Sequence, residues 1–163
     1  MTQKIVPNLW FDTEAEAAAE FYTSVFPNSR VLGVARYPEG SPGPAGTVMT
    51  VEFELDGVRF VGIDGGPQFQ FDEAVSFQID CADQDEVDHY WERLSEGGEE
   101  SQCGWLKDRF GLSWQVVPRG MGELFNDADP TRAQRAMQAM LGMRKLDVAA
   151  LRAAADGDEV ATA

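Results

Sequence analysis

Two segments of the chain, separated by 68 residues, share the same order of residue types. Phe11–Tyr22 (FDTEAEAAAEFY) and Ile79–Tyr90 (IDCADQDEVDHY) each begin with an apolar residue and an aspartate, and each ends with a tyrosine. Each segment follows a strand-like apolar run and then adopts the apolar spacing of an amphipathic helix. Similarity over such a long period indicates a duplicated supersecondary unit.

Both predicted helices have a start signal of the same kind. Thr13 and Glu16 stand at the spacing of a capping box in the first copy, and Asp83 and Glu86 stand at that spacing in the second. We therefore expect each helix to begin with a side chain that accepts a hydrogen bond from the backbone three residues later.

Strand-like segments follow each helix, so that each copy has the order β-α-β-β-β. The dipeptide Asp56-Gly57 between alternating runs predicts a tight hairpin in the first copy, and DRFG, residues 108–111, predicts the turn of a hairpin in the second. A four-stranded sheet with one helix leaves a face uncovered, so two such sheets are expected to pair. The predicted strands after the first helix are 29–37, 46–55 and 58–64, and those of the second copy are 74–80, 100–105, 105–110 and 113–118.

The fold class predicted from this order is α+β. We expect a first module over residues 1–65, a linker over 66–72, a second module over 73–118 and a C-terminal helical extension over 119–163, all within one compact domain. In the extension, Asp129 before Pro130 is typical of a helix start.

Charge limits the partners of the chain. Its net charge is −15, and residues 1–118 hold 7 basic and 21 acidic side chains. Such a surface repels phosphate backbones and anionic membranes, so nucleic acid and membrane partners are not expected. The two cysteines do not form a disulfide framework, and the N-terminus has no secretion signal, which together predict a cytoplasmic protein.

Several motifs resemble those of a known superfamily. LWFD before the first helix, FYTSVFPNS along it, GGPQFQF between the copies and GGEESQCGWLKDRFGLSWQVVP at the end of the second copy resemble the PhnB-like branch of the vicinal oxygen chelate superfamily, with a likeness in the tail at AMLGMRKLDVAAL. This branch is often labelled "3-demethylubiquinone-9 3-methyltransferase", and the superfamily includes glyoxalase I and bleomycin-resistance proteins. The resemblance implies a curved mixed sheet pair that encloses a cup, and a homodimer.

The resemblance also implies a site for a divalent metal ion, but this chain lacks the donors. Hard and borderline cations need carboxylate oxygens or imidazole nitrogens. The only histidine, His89, stands on the polar side of the second predicted helix, so no metal and no cofactor are predicted. The positions that the resemblance assigns to ligands are Ile5, Gly62 or Ile63, Ala74 and Gln115, and a shifted register offers Asn8, Asp64 and Ser76.

Two kinds of enzyme chemistry find little support in the sequence. The glycine-rich stretch GIDGGPQ, residues 62–68, follows a strand but is not followed by a helix, as a nucleotide-binding turn would be. Cys103 has no base beside it in the sequence and is interpreted as an inert cysteine on a strand. The charged run Lys107, Asp108 and Arg109 is interpreted as solvated or ion-paired.

A ligand pocket is the functional site that the sequence favours. Strand alternation leaves Ser76, Gln78 and Gln115 on the face that the helices do not cover, and Cys103 and Trp105 complete the set of predicted pocket residues. The predicted function is metal-free binding of a small organic molecule. The alternatives are a lyase or transferase, with a metal or catalytic residue not yet placed, and a structural dimer whose cavity is filled by side chains.

Overall fold

A computed structural model describes residues 3–158. The chain forms two compact units, Met1–Phe71 and Asp72–Ala163. Residues 1–2 of the predicted first module and 159–163 of the predicted C-terminal extension lie outside the described residues. Each unit contains one β-α-β-β-β module, which confirms the predicted α+β fold and the duplication.

The first unit is a four-stranded sheet covered by one helix. The strand order is β1-β4-β3-β2, with β1 parallel to β4 and the other pairs antiparallel. Tyr22 of the helix packs on Phe53 with ring centroids 6.2 Å apart, and Phe53 stacks on Phe60 at 5.5 Å. The elements are β1 Asn8–Phe11, α1 Ala15–Val25, β2 Arg30–Arg36, β3 Val48–Leu55 and β4 Val58–Asp64.

The hairpin between β3 and β4 turns where the sequence predicts it. Asp56 and Gly57 both have positive φ, at 44° and 81°. Two successive left-handed residues form the hairpin turn that matches the twist of the flanking strands, and glycine adopts this conformation without strain.

The second unit repeats the topology of the first. Its strand order is β5-β8-β7-β6, with β5 parallel to β8, so each strand has a counterpart in the first sheet. The edge strand β6 is only two residues long. The elements are β5 Ser76–Cys81, α2 Gln84–Ser95, β6 Glu99–Glu100, β7 Trp105–Lys107 and β8 Ser113–Pro118.

Helix α2 packs on one face of the second sheet. It contacts β5, β7 and β8, and its buried residues are Val87, Tyr90, Trp91 and Leu94. On the strands, Leu106, Trp114 and Val116 are buried, whereas the residues that alternate with them, Trp105, Gln115 and Val117, are only half-buried. Because successive side chains of a strand point to opposite faces, the second set lies on the face opposite α2.

The two modules begin their helices differently. In α2, Asp83 accepts a hydrogen bond from the backbone of Glu86 at 3.0 Å, as predicted, and Glu86 accepts one from the backbone of Ala82. In α1 the predicted cap is wrong, because Ala15 N donates to Oδ1 of Asp64 at 2.8 Å and the N-cap residue makes no side-chain capping bond. The last residue of β4 thus supplies the acceptor.

The C-terminal extension folds onto the second unit. It contains α3 Met121–Phe125, α4 Pro130–Leu141 and α5 Val148–Asp156, and α4 begins at Asp129-Pro130 as predicted. Its core is Met121, Leu146 and Leu151, with Val117 of β8 packed against it. Among the described helices, none is long and apolar enough to cross a membrane.

Candidate ligand-binding groove on the second sheet

A groove of about 160 Å³ lies on the second unit. Trp105, Lys107 and Ser113 in its lining alternate with buried Leu106 and Trp114, which places them on the face opposite α2. The residues that line the groove are Glu73, Glu99, Glu100, Ser101, Trp105, Leu106, Lys107 and Ser113.

Strand register arranges the polar side chains of this face in rows. One row crosses all four strands, from Glu99 to Lys107, Ser113 and Ser76, each the Cα partner of the next. Directly paired residues point to the same face of a sheet. The groove therefore follows a continuous row of hydroxyl and charged groups.

A second row lies two residues along the same strands. It pairs Trp105 of β7 with Gln115 of β8, and Gln115 with Gln78 of β5. Gln115 Nε2 donates to Ser76 Oγ at 2.8 Å and thereby links the two rows. Four of the five predicted pocket residues, Ser76, Gln78, Trp105 and Gln115, are thus brought together on one face.

These four differ in how close they come to the groove. Trp105 lines it, and Ser76 is the direct strand neighbour of lining residue Ser113. Gln78 is exposed and donates to Asp80 at 2.7 Å. The use of all four in ligand binding stays a prediction.

Cys103 lies apart from the other predicted pocket residues. It sits in a turn with φ of 57°, not on the predicted strand 100–105, and it is not among the lining residues of the groove. Its backbone N–H donates to Met143 O at 2.8 Å, and its thiol lies 3.6 Å from Met140 O. The strand ends at Glu100, and the left-handed turn at Cys103 is in contact with the C-terminal extension.

The hydroxyl of Ser113 has no hydrogen-bond partner in the part of the chain that the structure describes. The residue is fully buried. A buried polar group without a partner costs about 1–3 kcal/mol and is rare in folded proteins. It lies beneath the groove, opposite the long and flexible side chain of Lys107.

Lys107 and Glu73 form an ion pair at the edge of the groove. Lys107 Nζ lies 2.6 Å from Glu73 Oε1. The hydrogen bond from Lys107 lowers the pKa of Glu73, and the hydrogen bond to Glu73 raises the pKa of Lys107. Both groups are therefore charged at neutral pH. Lys107 is ion-paired as the sequence predicts, and so is Arg109, which contacts Glu96 at 3.4 Å.

Asp108, in the middle of the charged run, is only 3% exposed and is therefore not solvated. Its carboxylate accepts hydrogen bonds from Phe110 N at 2.8 Å, Leu112 N at 3.1 Å and Trp114 Nε1 at 2.8 Å. Asp108 thereby fixes the turn that holds Lys107 and Ser113 opposite each other.

Sequence reasoning missed most of the residues that line the groove. Glu73, Glu99, Lys107 and Ser113 were not among the predicted pocket residues. The available signal was strand register, since Ser113 alternates with Trp114 and shares the face of Gln115. That signal required the exact pairing of β7 with β8, which short strands do not specify.

The first unit holds a wider cleft of about 830 Å³ that is lined in part by acidic residues. Two of these have protein partners: Glu16 pairs with Arg36 at 3.0 Å, and Asp64 accepts from Ala15. Burial raises the pKa of Asp64, and the charges of Asp12 and Glu16 add to this effect. Among the described residues, no buried side-chain oxygen or nitrogen of this cleft lacks a hydrogen-bond partner, in contrast to the hydroxyl of Ser113.

The residues present do not fit the metal ion that the superfamily implies. Within residues 3–158, no three histidine, cysteine, aspartate or glutamate side chains come close enough together to hold an ion. At the predicted ligand positions, Gln115 bonds to Ser76, and Asp64 caps α1.

The glycine-rich turn also fails to fit a nucleotide cofactor. Gly65 and Gly66 follow β4, but the chain then reaches β5 without a helix. Gly66 O instead accepts a hydrogen bond from the indole of Trp10 at 2.9 Å. The N-terminus of α1 lies beside this turn, but its Ala15 N–H is already bonded to the carboxylate of Asp64.

Comparison with known proteins identifies the family. The model of the 3-demethylubiquinone-9 3-methyltransferase family matches residues 3–117. The chain belongs to this family. This family is the PhnB-like branch of the vicinal oxygen chelate superfamily. The solved structure of a PhnB protein from Bacillus cereus is 35% identical, with a TM-score of 0.66, and the match covers 71% of this chain and 99% of that one.

Two more distant structures share the PhnB-like fold. Protein PA1353 from Pseudomonas aeruginosa is 20% identical with a TM-score of 0.61, covering 72% of this chain and 98% of that one. The fosfomycin resistance protein FosX from Listeria monocytogenes is 17% identical with a TM-score of 0.51, covering 76% and 96%. No curated protein matches the sequence. The family match ends at Val117, so it does not include the likeness predicted in the tail.

Proposed function

We propose that this PhnB-like protein binds a small organic molecule in the groove of its second sheet, without a metal ion. The observation that carries the proposal is the buried hydroxyl of Ser113, which lacks a partner within the described residues. A buried polar group without a hydrogen bond lowers the stability of the folded protein, and a bound ligand that supplies the missing hydrogen bond removes this cost.

The neighbouring groups support a binding role. The indole of Trp105 offers an apolar wall, and Gln115 and Ser76 offer a fixed amide and hydroxyl beside it. Apolar walls with a few oriented polar groups are typical of small-molecule sites. A volume of about 160 Å³ suits a ligand near the size of one aromatic ring, since a cavity of about 150 Å³ holds benzene.

Two serine variants test this proposal. Ser113→Ala removes an unpaired polar group, so we expect it to stabilise the free protein by about 1–3 kcal/mol. Ser76→Ala takes the acceptor away from Gln115, so we expect a loss of about 1 kcal/mol. Urea denaturation of the ligand-free proteins measures both changes.

A thermal-shift screen of small amines, acids and neutral ring compounds then tests binding. A compound that binds the folded state raises the melting temperature with its occupancy. We expect hits on the wild-type protein that Ser113→Ala loses, although that variant is the more stable one. Hits that are unchanged in Ser113→Ala would contradict this site, and a screen without hits would favour a purely structural role.

An enzyme of the same fold is the second candidate, because the family bears the name of a methyltransferase. Elemental analysis of the purified protein separates the two proposals. Stoichiometric zinc, nickel, iron or manganese would favour an enzyme. Calorimetric titration with S-adenosylmethionine checks the methyl transfer that the family name implies.

The predicted homodimer and cytoplasmic location belong to the same proposal. Support for the dimer comes from the resemblance that the sequence shows to the superfamily. Sedimentation equilibrium of the purified chain tests it, and a monomer at micromolar concentration would contradict it.

A further inference from the structure

Negative charges outnumber positive charges around the groove. Glu73, Glu99 and Asp72 all raise the pKa of Lys107, so three carboxylates act on one ammonium group. The chain as a whole carries a net charge of −15. An anionic ligand that approaches this face therefore meets a repulsive field.

Lys107 is poorly placed to attract an anion. Its ammonium group is already 2.6 Å from the carboxylate of Glu73. A ligand carboxylate would have to displace Glu73 while it stayed close to Glu99, the strand partner of Lys107. Like charges at such separations are destabilising.

Glu99 is the carboxylate of the groove that is left for a ligand. Its side chain makes no hydrogen bond or ion pair with any residue in the described range, whereas Glu100 accepts from Trp91 Nε1 at 3.0 Å. Glu99 is exposed and stands at the end of the row that contains Ser113. It is therefore accessible to a cation that enters the groove.

The aromatic wall favours the same sign of charge. Trp105 is half-buried in the lining, and the indole face attracts organic cations. Ser113 adds a hydroxyl that can accept a hydrogen bond from an ammonium group or donate one to a neutral oxygen.

We propose that the ligand of the groove is a small organic amine, protonated at neutral pH, whose ring lies against Trp105 and whose ammonium group is held by Glu99 at the end of the row that contains Ser113. This inference rests on the proposed function, because it names the class of molecule that the same groove binds.

Three probes of nearly equal size and different charge test the inference: benzylammonium, benzyl alcohol and benzoate. The readout is an NMR titration that follows the indole N–H of Trp105. This group has no acceptor within residues 3–158, whereas the indoles of Trp10, Trp91 and Trp114 donate to Gly66, Glu100 and Asp108. We expect benzylammonium to bind most tightly and benzoate most weakly, and added salt to reduce the difference.

Charge-removing variants identify the carboxylate that acts. Glu99→Gln should lower the affinity for benzylammonium by about three-fold, the effect typical of an exposed ion pair, and leave the affinity for benzyl alcohol unchanged. Glu73→Gln removes the ion-pair partner of Lys107 and should raise the affinity for benzoate. Glu92→Gln removes the same charge from an exposed position of α2 and is the matched control, expected to leave all three affinities unchanged.

The outcomes separate this inference from the proposed function. If benzoate binds as tightly as benzylammonium or more tightly, the ligand is not an amine, although the groove can still be the binding site. Equal loss of benzylammonium in Glu92→Gln and Glu99→Gln would show a general field and overturn the role of Glu99. Absence of binding by all three probes, together with an unsuccessful thermal-shift screen, would overturn both.

Discussion

At the scale of single residues, Asp108 holds the turn between the two strands β7 and β8. Its carboxylate is buried and accepts from two backbone N–H groups and from the indole of Trp114. Burial of a carboxylate is tolerated when hydrogen bonds replace its water shell. The turn it stabilises fixes the register in which Lys107 faces Ser113.

Replacing Asp108 by asparagine should destabilise the protein. The amide nitrogen of the variant is a donor that would face donors, so at least one hydrogen bond is lost and one polar group is left unpaired. We expect a loss of about 2–4 kcal/mol in the free energy of unfolding, measured by urea denaturation. Glu92→Gln, on the exposed side of α2, is the control. A loss below that of an ordinary surface change would contradict the role of Asp108 in the turn.

Asp64 is expected to make the stability of the protein depend on pH. Burial raises its pKa above the ordinary value, so folding disfavours the charged form. This cost is absent while the group is protonated in both states, and it develops as the pH rises from the unfolded pKa to the folded one. Asp64→Asn keeps an acceptor for Ala15 N and removes the charge.

We therefore expect Asp64→Asn to be more stable than the wild type at neutral pH, and the two to converge in acid. Denaturation curves over the acid range measure the difference. A variant that is less stable than the wild type at neutral pH would show that the ionised carboxylate contributes more as a helix cap than its burial costs.

At the scale of helices and strands, the start of α1 separates local signals from tertiary ones. The capping-box spacing of Thr13 and Glu16 is a local signal, but the acceptor in the structure is Asp64, which is 49 residues away from Ala15. In α2 the local signal is used, and Asp83 caps the helix. The carboxylate of Asp64, at the end of β4, takes the place of a local cap because the sheet holds it beside the first turn of α1.

A pair of alanine variants distinguishes these caps. Asp83→Ala should cost about 1 kcal/mol, the usual value of an N-cap, and Thr13→Ala should cost close to nothing. Thermal or urea denaturation of both variants gives the comparison. A similar loss in both would mean that Thr13 caps α1 in solution.

The fold was more predictable than the site, for a physical reason. Alternation, helical spacing and the Asp56-Gly57 turn are encoded within a few residues, and they gave the β-α-β-β-β order of both modules. The lining of the groove depends on the pairing of β7 with β8, and the turn at Cys103 that leads into β7 contacts the C-terminal extension. Such contacts join residues far apart in the sequence, so local patterns do not reveal them.

At the scale of the whole molecule, the chain consists of a duplicated module and an extension beyond the family match. The family model ends at Val117, and α3, α4 and α5 all follow it. The extension is nevertheless part of the second unit. Gln84 at the start of α2 donates to Leu146 O at 3.1 Å and accepts from Val148 N at 2.9 Å.

The close approach of the extension to the β6–β7 connection depends on Gly104. Its φ is 82°, and a Cβ at this position would lie 2.7 Å from Val116 O and 3.0 Å from Leu146. Its N–H donates to Arg144 O at 2.8 Å. The connection that leads into β7 is thus held between β8 and the extension, which links the extension to the strand that carries Trp105 and Lys107.

Leu146 provides the test of this arrangement. It is fully buried beside Met121 and Leu151, so Leu146→Ala should cost about 2–5 kcal/mol through lost burial and the cavity left behind. Leu141→Ala, at an exposed position of the same extension, is the matched control and should cost little. If the extension supports the β6–β7 connection, Leu146→Ala should also speed hydrogen exchange at Gly104 N–H and Cys103 N–H. Faster exchange confined to α3–α5 would instead mean that the extension unfolds without affecting the groove.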